Sequence, residues 1–300
     1  MDIEDGVMGH EEYYLPRPLV VVFVALLLGA AAAGFTGVLL SGPSATRDTL
    51  RLIDQPLLLS VEAFREHSPS RAAAEQHARF LIDVCGLLKS SQNRELNNCR
   101  DALLSTAEKL SALAIKATNA PDLDPTLAKE IRGAISDAGF QTLALHSALQ
   151  SMSPAEKRKL QIAGEFETQI LSRLEQEKVK LSKEIEASKA FTGPGPYKPD
   201  DSKKAFSASE SLCLSCREAA ALSHLIGTTL DGAILDRLNC AREAILGIAN
   251  NEALFPKAKK DPLLEDLAGY VGNIELRIKI LKQLVAKPGM SIGEILVSAK

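Results

Sequence analysis

Two kinds of hydrophobic pattern divide the chain. From Leu19 to Leu40 the residues are apolar or small and carry no charge, a run above the roughly 20 residues that one helix needs to cross a bilayer. From Asp48 onward apolar residues recur instead at steps of three and four with charged residues between them, the period of amphipathic helices, and alternating β-branched runs are scarce. The pattern predicts an all-α protein: a short acidic tail over 1–18, a single N-terminal transmembrane helix over 19–40, then an elongated two-part helical bundle.

The individual helices follow from their stripes and stops. Leu50, Ile53, Leu57, Val61 and Phe64 mark a segment over 48–67 that Pro56 interrupts, since its missing N–H removes a hydrogen bond and bends the axis. Helices over 71–89 and 94–117 flank the polar Ser90-Ser91-Gln92-Asn93 and form a hairpin. Asp124-Pro125 opens the next, with an acid at the cap and a proline that sacrifices no backbone donor, and it runs to about Gln150. Ser153-Pro154-Ala155-Glu156 is a capping box, and only Gly164 interrupts the pattern before Phe191. One helix over 153–191, roughly 55–60 Å long, is expected to close the first bundle over 44–191 and connect the two parts. Its stripe of Ala163, Phe166, Ile170, Leu174, Leu181 and Ile185 is broken by Glu167, Glu177 and Glu184, so a half-solvated strut fits better than a tight coiled coil.

The Gly- and Pro-rich stretch 192–204 reads as an extended, exposed linker and places the domain boundary. Pro196 and Pro199 within it have the spacing that SH3-like grooves read, a pattern common in linkers. The second bundle, over 205–300, has helices near 205–226, 233–252 and 262–286 and a short one after Ser291. Leu264, Leu267, Val271, Ile274, Ile278, Leu281 and Val285 give the cleanest heptad of the chain, a face buried along its whole length that we assign to a partner helix. The halves also echo one another around Cys99 and Cys240 and around Asp124-Pro125 and Asp261-Pro262, as a duplicated three-helix unit or any two amphipathic helices with the same start signal would.

A cleaved secretory signal is the competing reading of the apolar run. Its flank argues for a retained anchor, because five acids (Asp2, Glu4, Asp5, Glu11, Glu12) precede it against Arg17 where a signal carries a basic region. Ala25, Gly29, Ala33 and Gly37 line one face of the run, a packing face for a homodimer or a chance result of an Ala- and Gly-rich span. The chain has 35 basic and 38 acidic residues, and the acidic tail, with five acids and one base, more than accounts for the excess, so the body is near neutral at net +1. With 4% aromatic residues and no Trp, that balance argues against nucleic acid, which needs a basic stripe and stacking rings.

Cysteine carries the most chemistry. Cys85 and Cys99 lie equidistant from Gln92 in the predicted hairpin turn, where antiparallel helices bring them level for a disulfide. Cys240 faces Cys213 or Cys216 across the next hairpin. Disulfides favour an oxidising compartment, extracytoplasmic and periplasmic if the source is bacterial, whereas Arg17 against Arg47 and Arg51 leans weakly toward a cytosolic domain. Reduced, buried cysteine is the alternative. Cys213-Leu-Ser-Cys216 also matches CxxC, although the βαβ context of a redox dithiol, further zinc ligands and a haem-type His at 217 are missing. No hydrolase, P-loop or dinucleotide motif occurs, and His10, His67, His77, His146 and His224 stand singly, so no catalytic residue, metal or cofactor is assigned.

One N-terminal span before an elongated helical bundle resembles in layout, with no shared motif, the extracytoplasmic parts of bacterial sensory receptors and of envelope scaffold proteins. The expected function is a membrane-anchored, non-enzymatic binding or scaffold protein that presents its helices to a partner protein. A ligand-sensing bundle and a thiol-disulfide redox protein are the alternatives.

Overall fold

The computed structural model describes residues 45–88, 91–118, 122–160, 162, 164–256 and 261–298. Among them the chain is all helical, apart from one isolated antiparallel bridge between Leu88 and Ile162. No helix of the described residues is long and apolar enough to cross a membrane. Those of sufficient length, such as Pro125–Ser151 and Pro262–Ala286, interleave charges with their apolar stripes. The expected single-pass membrane location, periplasmic side included, is corrected on that finding. The run 19–40, with Ala25, Gly29, Ala33 and Gly37, lies outside the described residues.

Helix α1 spans Ala45–Ala63 and continues through Pro56. The next three begin at the caps that the sequence marks or implies. α2 (Arg71–Leu87) starts on Ser70, whose hydroxyl accepts from the Ala73 N–H. α3 (Arg94–Lys116) starts on Asn93, accepting from Leu96 at 3.0 Å, and α4 (Pro125–Ser151) on Asp124, accepting from Thr126 at 2.7 Å. Side-chain acceptors satisfy N–H groups that have no partner inside the helix.

The long helix expected over 153–191 is broken. Its capping box forms, with Ser153 and Glu156 exchanging both bonds, but α5 ends after Pro154–Lys159. None of its six residues is buried, so no apolar face holds a longer helix in place. The chain instead buries Leu160 and bridges Ile162 to Leu88 before α6 (Phe166–Ser188) begins beyond Gly164.

The stretch 192–204 is also not the free linker its composition suggests. After a 3-10 turn over Lys189–Phe191, the Asn251 side chain donates to the carbonyls of Phe191 and Gly193 at 2.7 and 2.9 Å, and the Tyr197 hydroxyl donates to Gly193 at 2.8 Å. Tyr197 thus turns toward its own chain within the PxxP spacing. α7 (Asp201–Ile226) starts inside the stretch, followed by α8 (Thr228–Ala249), α9 (Pro262–Ala286) and the short α10 (Ile292–Ser298).

Two apolar cores result, and they share helices. One gathers α2, α3 and α4 with Leu52 and Ile53 of α1 and Leu222 and Leu225 of α7. The other gathers α7, α8 and α9 with Leu58 of α1 and Leu181 of α6. α1 is buried at every position from Leu52 to Ser60 and is surrounded by α2, α4, α7 and α10. The echo between the halves survives at the caps, where Asp124 and Asp261 each accept the N–H two residues on. The packing differs: α9 rests on both α7 and α8, α4 on α3 and α1.

Candidate functional site

The most concentrated polar chemistry lies inside the molecule, where α1 meets α7 and α9. α1 places Gln55 and Glu62 on one line two turns apart, and Glu66 follows just past its end. Arg217 of α7 and Asn273 and Arg277 of α9 face them. Arg277 forks onto Glu62, Nε to Oε1 at 2.5 Å and Nη2 to Oε2 at 3.0 Å, while its Nη1 donates to Gln55 at 3.2 Å. Arg217 reaches Glu62 at 3.3 Å and pairs with Glu66, whose Oε1 also accepts from the Asn273 amide at 3.1 Å. The result is a ladder, Gln55–Arg277–Glu62–Arg217–Glu66–Asn273, in which each guanidinium bridges two side chains of the α1 segment. No member is more than 2% exposed. Two carboxylates against two guanidiniums leave it neutral, the condition under which buried charges are tolerated.

Its surroundings respond to burial. His77 of α2, 2% exposed, is pushed down to about 4 by desolvation; Glu62 pulls it up and Arg277 pushes it down. Desolvation also lowers Arg217, against the pull of Glu62. On the α7–α9 side, the Tyr270 hydroxyl donates to Glu210 at 3.1 Å, and burial raises that carboxyl.

Two smaller groups tie other helices. Asp54 of α1 accepts the Ile292 N–H at 3.0 Å, at the start of α10, and its carboxylate lies 3.4 Å from His224 Nε2. Beside it Ser223 donates to Asp231 at 3.1 Å, and desolvation pushes Asp231 up to about 6. Nearer the surface, half-buried Arg173 of α6 holds half-buried Asp83 of α2 at 2.5 Å and also the buried Glu218 of α7.

What this arrangement can do chemically follows from its access. The carboxylates of the ladder are paired with guanidiniums and sealed from solvent, where an acid, base or nucleophile meets no substrate. Among the described residues no group of three or more His, Cys, Asp or Glu is placed to hold a metal ion. The ladder's contacts join the α1 segment to α7 and α9.

The cysteines expected in disulfides are all free thiols. Cys85 Sγ faces the Arg100 carbonyl at 3.5 Å, and Cys99, one residue earlier on the same helix, points about 100° away around the axis. Cys213 faces the Tyr270 carbonyl at 3.8 Å inside the core while Cys240 is exposed on α8, so that pair diverges as well. Cys213 and Cys216 are each 0% exposed, and burial raises both thiols, the reverse of what a redox thiolate requires.

The face assigned to a partner helix belongs to the chain's own core. Leu267, Val271, Ile274, Ile278 and Leu281 are buried in the second core, Leu264 is half-buried and only Val285 stands exposed. The heptad period reports burial without naming the neighbour, and α7 and α8 supply it.

The ladder escapes a reading of motifs because its members lie far apart in sequence. The local signal is the set Gln55, Glu62 and Glu66 at spacings of seven and four in a segment otherwise mostly apolar. Comparison with family models, with curated proteins and with solved structures finds no match.

Proposed function

We propose that the chain is a non-enzymatic helical binding or scaffold protein that docks a partner protein on the outer face of α3. The observation that carries this reading is the pair Leu104 and Ile115. They lie about three turns apart on one line of the helix, with exposed Glu108 on that line and exposed Ala112 to one side of it, and Ile115 is 80% exposed. Single exposed apolar residues are ordinary, but anchors recurring along one helical line are how helices engage grooves and other helices. Glu108, Lys109 and Lys116 are exposed around the pair and supply a polar rim.

The alternatives have less support. Burial of both CxxC thiols argues against redox exchange. The open concavity on α6 is lined by Glu175, Gln176, Val179, Lys180, Lys183 and Glu184, all from one helix, which cannot converge on a small ligand as a sensing pocket does.

The test uses a photo-reactive side chain at 115 in the full chain, with the exposed position 129 of α4 as control, irradiated in the source cells. A discrete adduct from 115 that disappears in Leu104→Lys supports the docking face. Equal labelling from both positions, or none from 115, overturns it.

A further inference from the structure

The short helix α10 has seven residues, too few to hold a helix by itself, and it stands because it lies against α1 and α9. Ile292 and Ile295 are each 1% exposed within the second core, and Met290 and Leu296 pack half-buried beside them. The Ile292 N–H donates to Asp54 of α1 at 3.0 Å, a carboxylate that His224 also approaches at 3.4 Å. The cap, by contrast, is internal to the segment: the Glu294 N–H donates to the Ser291 hydroxyl and the Ser291 N–H to the Glu294 carboxylate. α10 therefore has the form of a bound helical peptide, self-capped and seated by two isoleucines and one main-chain bond in a groove of the rest of the chain.

Its connection to α9 has the opposite character. Every residue over 285–289 is exposed. The chain turns back at Pro288 and Gly289, and Gly289 stands at φ +101°, a conformation that residues with a side chain rarely adopt. A Cβ at Gly289 would meet no atom within 4 Å, so the turn is set by the backbone alone and not by packing around it.

We infer that α10 is an exchangeable arm, which leaves its own groove and enters the same groove of a second copy of this chain while that copy returns its own α10. The groove already fits this occupant. The contacts made between copies, Asp54 with the Ile292 N–H and both isoleucines with the second core, are those made within one. The two states differ in the hinge and in the cost of association. A short flexible tether holds its ligand at an effective concentration on the order of millimolar, so the closed single chain prevails in dilute solution. A hinge that resists the fold-back weakens that advantage twice, once in each chain.

Gly289→Val isolates the hinge, because the added side chain meets nothing and acts only through the positive φ, while an extended hinge accepts valine freely. In sedimentation of the full chain, Gly289→Val should keep the native helical content and lower the dimer dissociation constant at least about tenfold. In dimers prepared from mixed light and heavy-isotope chains, a photo-reactive side chain at position 296 should join α10 of one isotope to α1 or α9 of the other. Adding Ile292→Asp and Ile295→Asp should abolish the dimer. The exchange is overturned if Gly289→Val dimerises no more tightly than the native chain, if its dimer yields only same-isotope adducts, or if the dimer survives loss of both isoleucines. Should Gly289→Val lose helical content, removal of Pro288 and Gly289 together decides by the same readings: crossed adducts support the exchange, and a single chain or an unfolded one overturns it.

Discussion

His77 and Asp231 are both sealed from solvent, and desolvation moves them in opposite senses, to about 4 and about 6. Between His77's ordinary value of 6.5 and about 4, the unfolded chain binds a proton that the native chain refuses, so stability held above 6.5 is lost as the pH falls through this window. Asp231 works the other way. Its native form takes up a proton below about 6 and its unfolded form only near 3.8, so its contribution is full below 3.8 and lost as the pH rises through 6. Asp231→Asn keeps an acceptor for Ser223 without the buried charge. In urea titrations it should exceed the native chain by on the order of 1–3 kcal/mol at pH 8 and converge with it near pH 4. His77→Leu should flatten the decline of the native chain between pH 6.5 and 4. None of this is legible in the sequence, where both residues sit singly and their burial is set by remote helices.

At the scale of elements, helix starts were readable and helix continuity was not. Asp124, Ser153 and Asp261 cap by contacts within three residues, so local sequence suffices for them. The break between α5 and α6 depends on Leu88, which pairs with Ile162 from the end of another helix. Close approach between elements is likewise invisible in a window of sequence. A Cβ on Gly269 of α9 would collide with the Arg65 carbonyl, a backbone atom that cannot swing aside, and Arg65 itself donates to Gly272 at 3.0 Å across the same contact. Gly133 in α4 faces open space. Thermal unfolding should therefore show Gly269→Ala losing about 1–3 kcal/mol and Gly133→Ala gaining up to about 1 kcal/mol. A loss at 133 equal to that at 269 would refute the contact.

For the whole molecule, the free thiols and shared helices make one testable pattern. Mass spectrometry after alkylation of the native chain should find Cys240 modified first, Cys85, Cys213 and Cys216 protected until unfolding, and Cys99 between them, in the order of their burial. Reductant should leave the melting temperature unchanged. A shift on reduction would restore the disulfides that the hairpin symmetry suggested. Because α1 and α7 contribute to both cores, the segment 192–204 does not separate two independent packing units. Asn251 holds it against the end of α8 by bonds no composition rule anticipates.

The sequence by itself determined the helical class, most helix starts and ends, and which face of each helix is apolar, because these depend on residues within a turn or two of one another. It could not say what each face meets. The heptad of α9 turned inward to α7 and α8, Cys85 and Cys213 faced carbonyls rather than another thiol, and Glu62 found Arg277 across the fold. Such pairings join residues far apart in the chain, and only the tertiary structure brings them into the low-dielectric interior where charge pairing is decided.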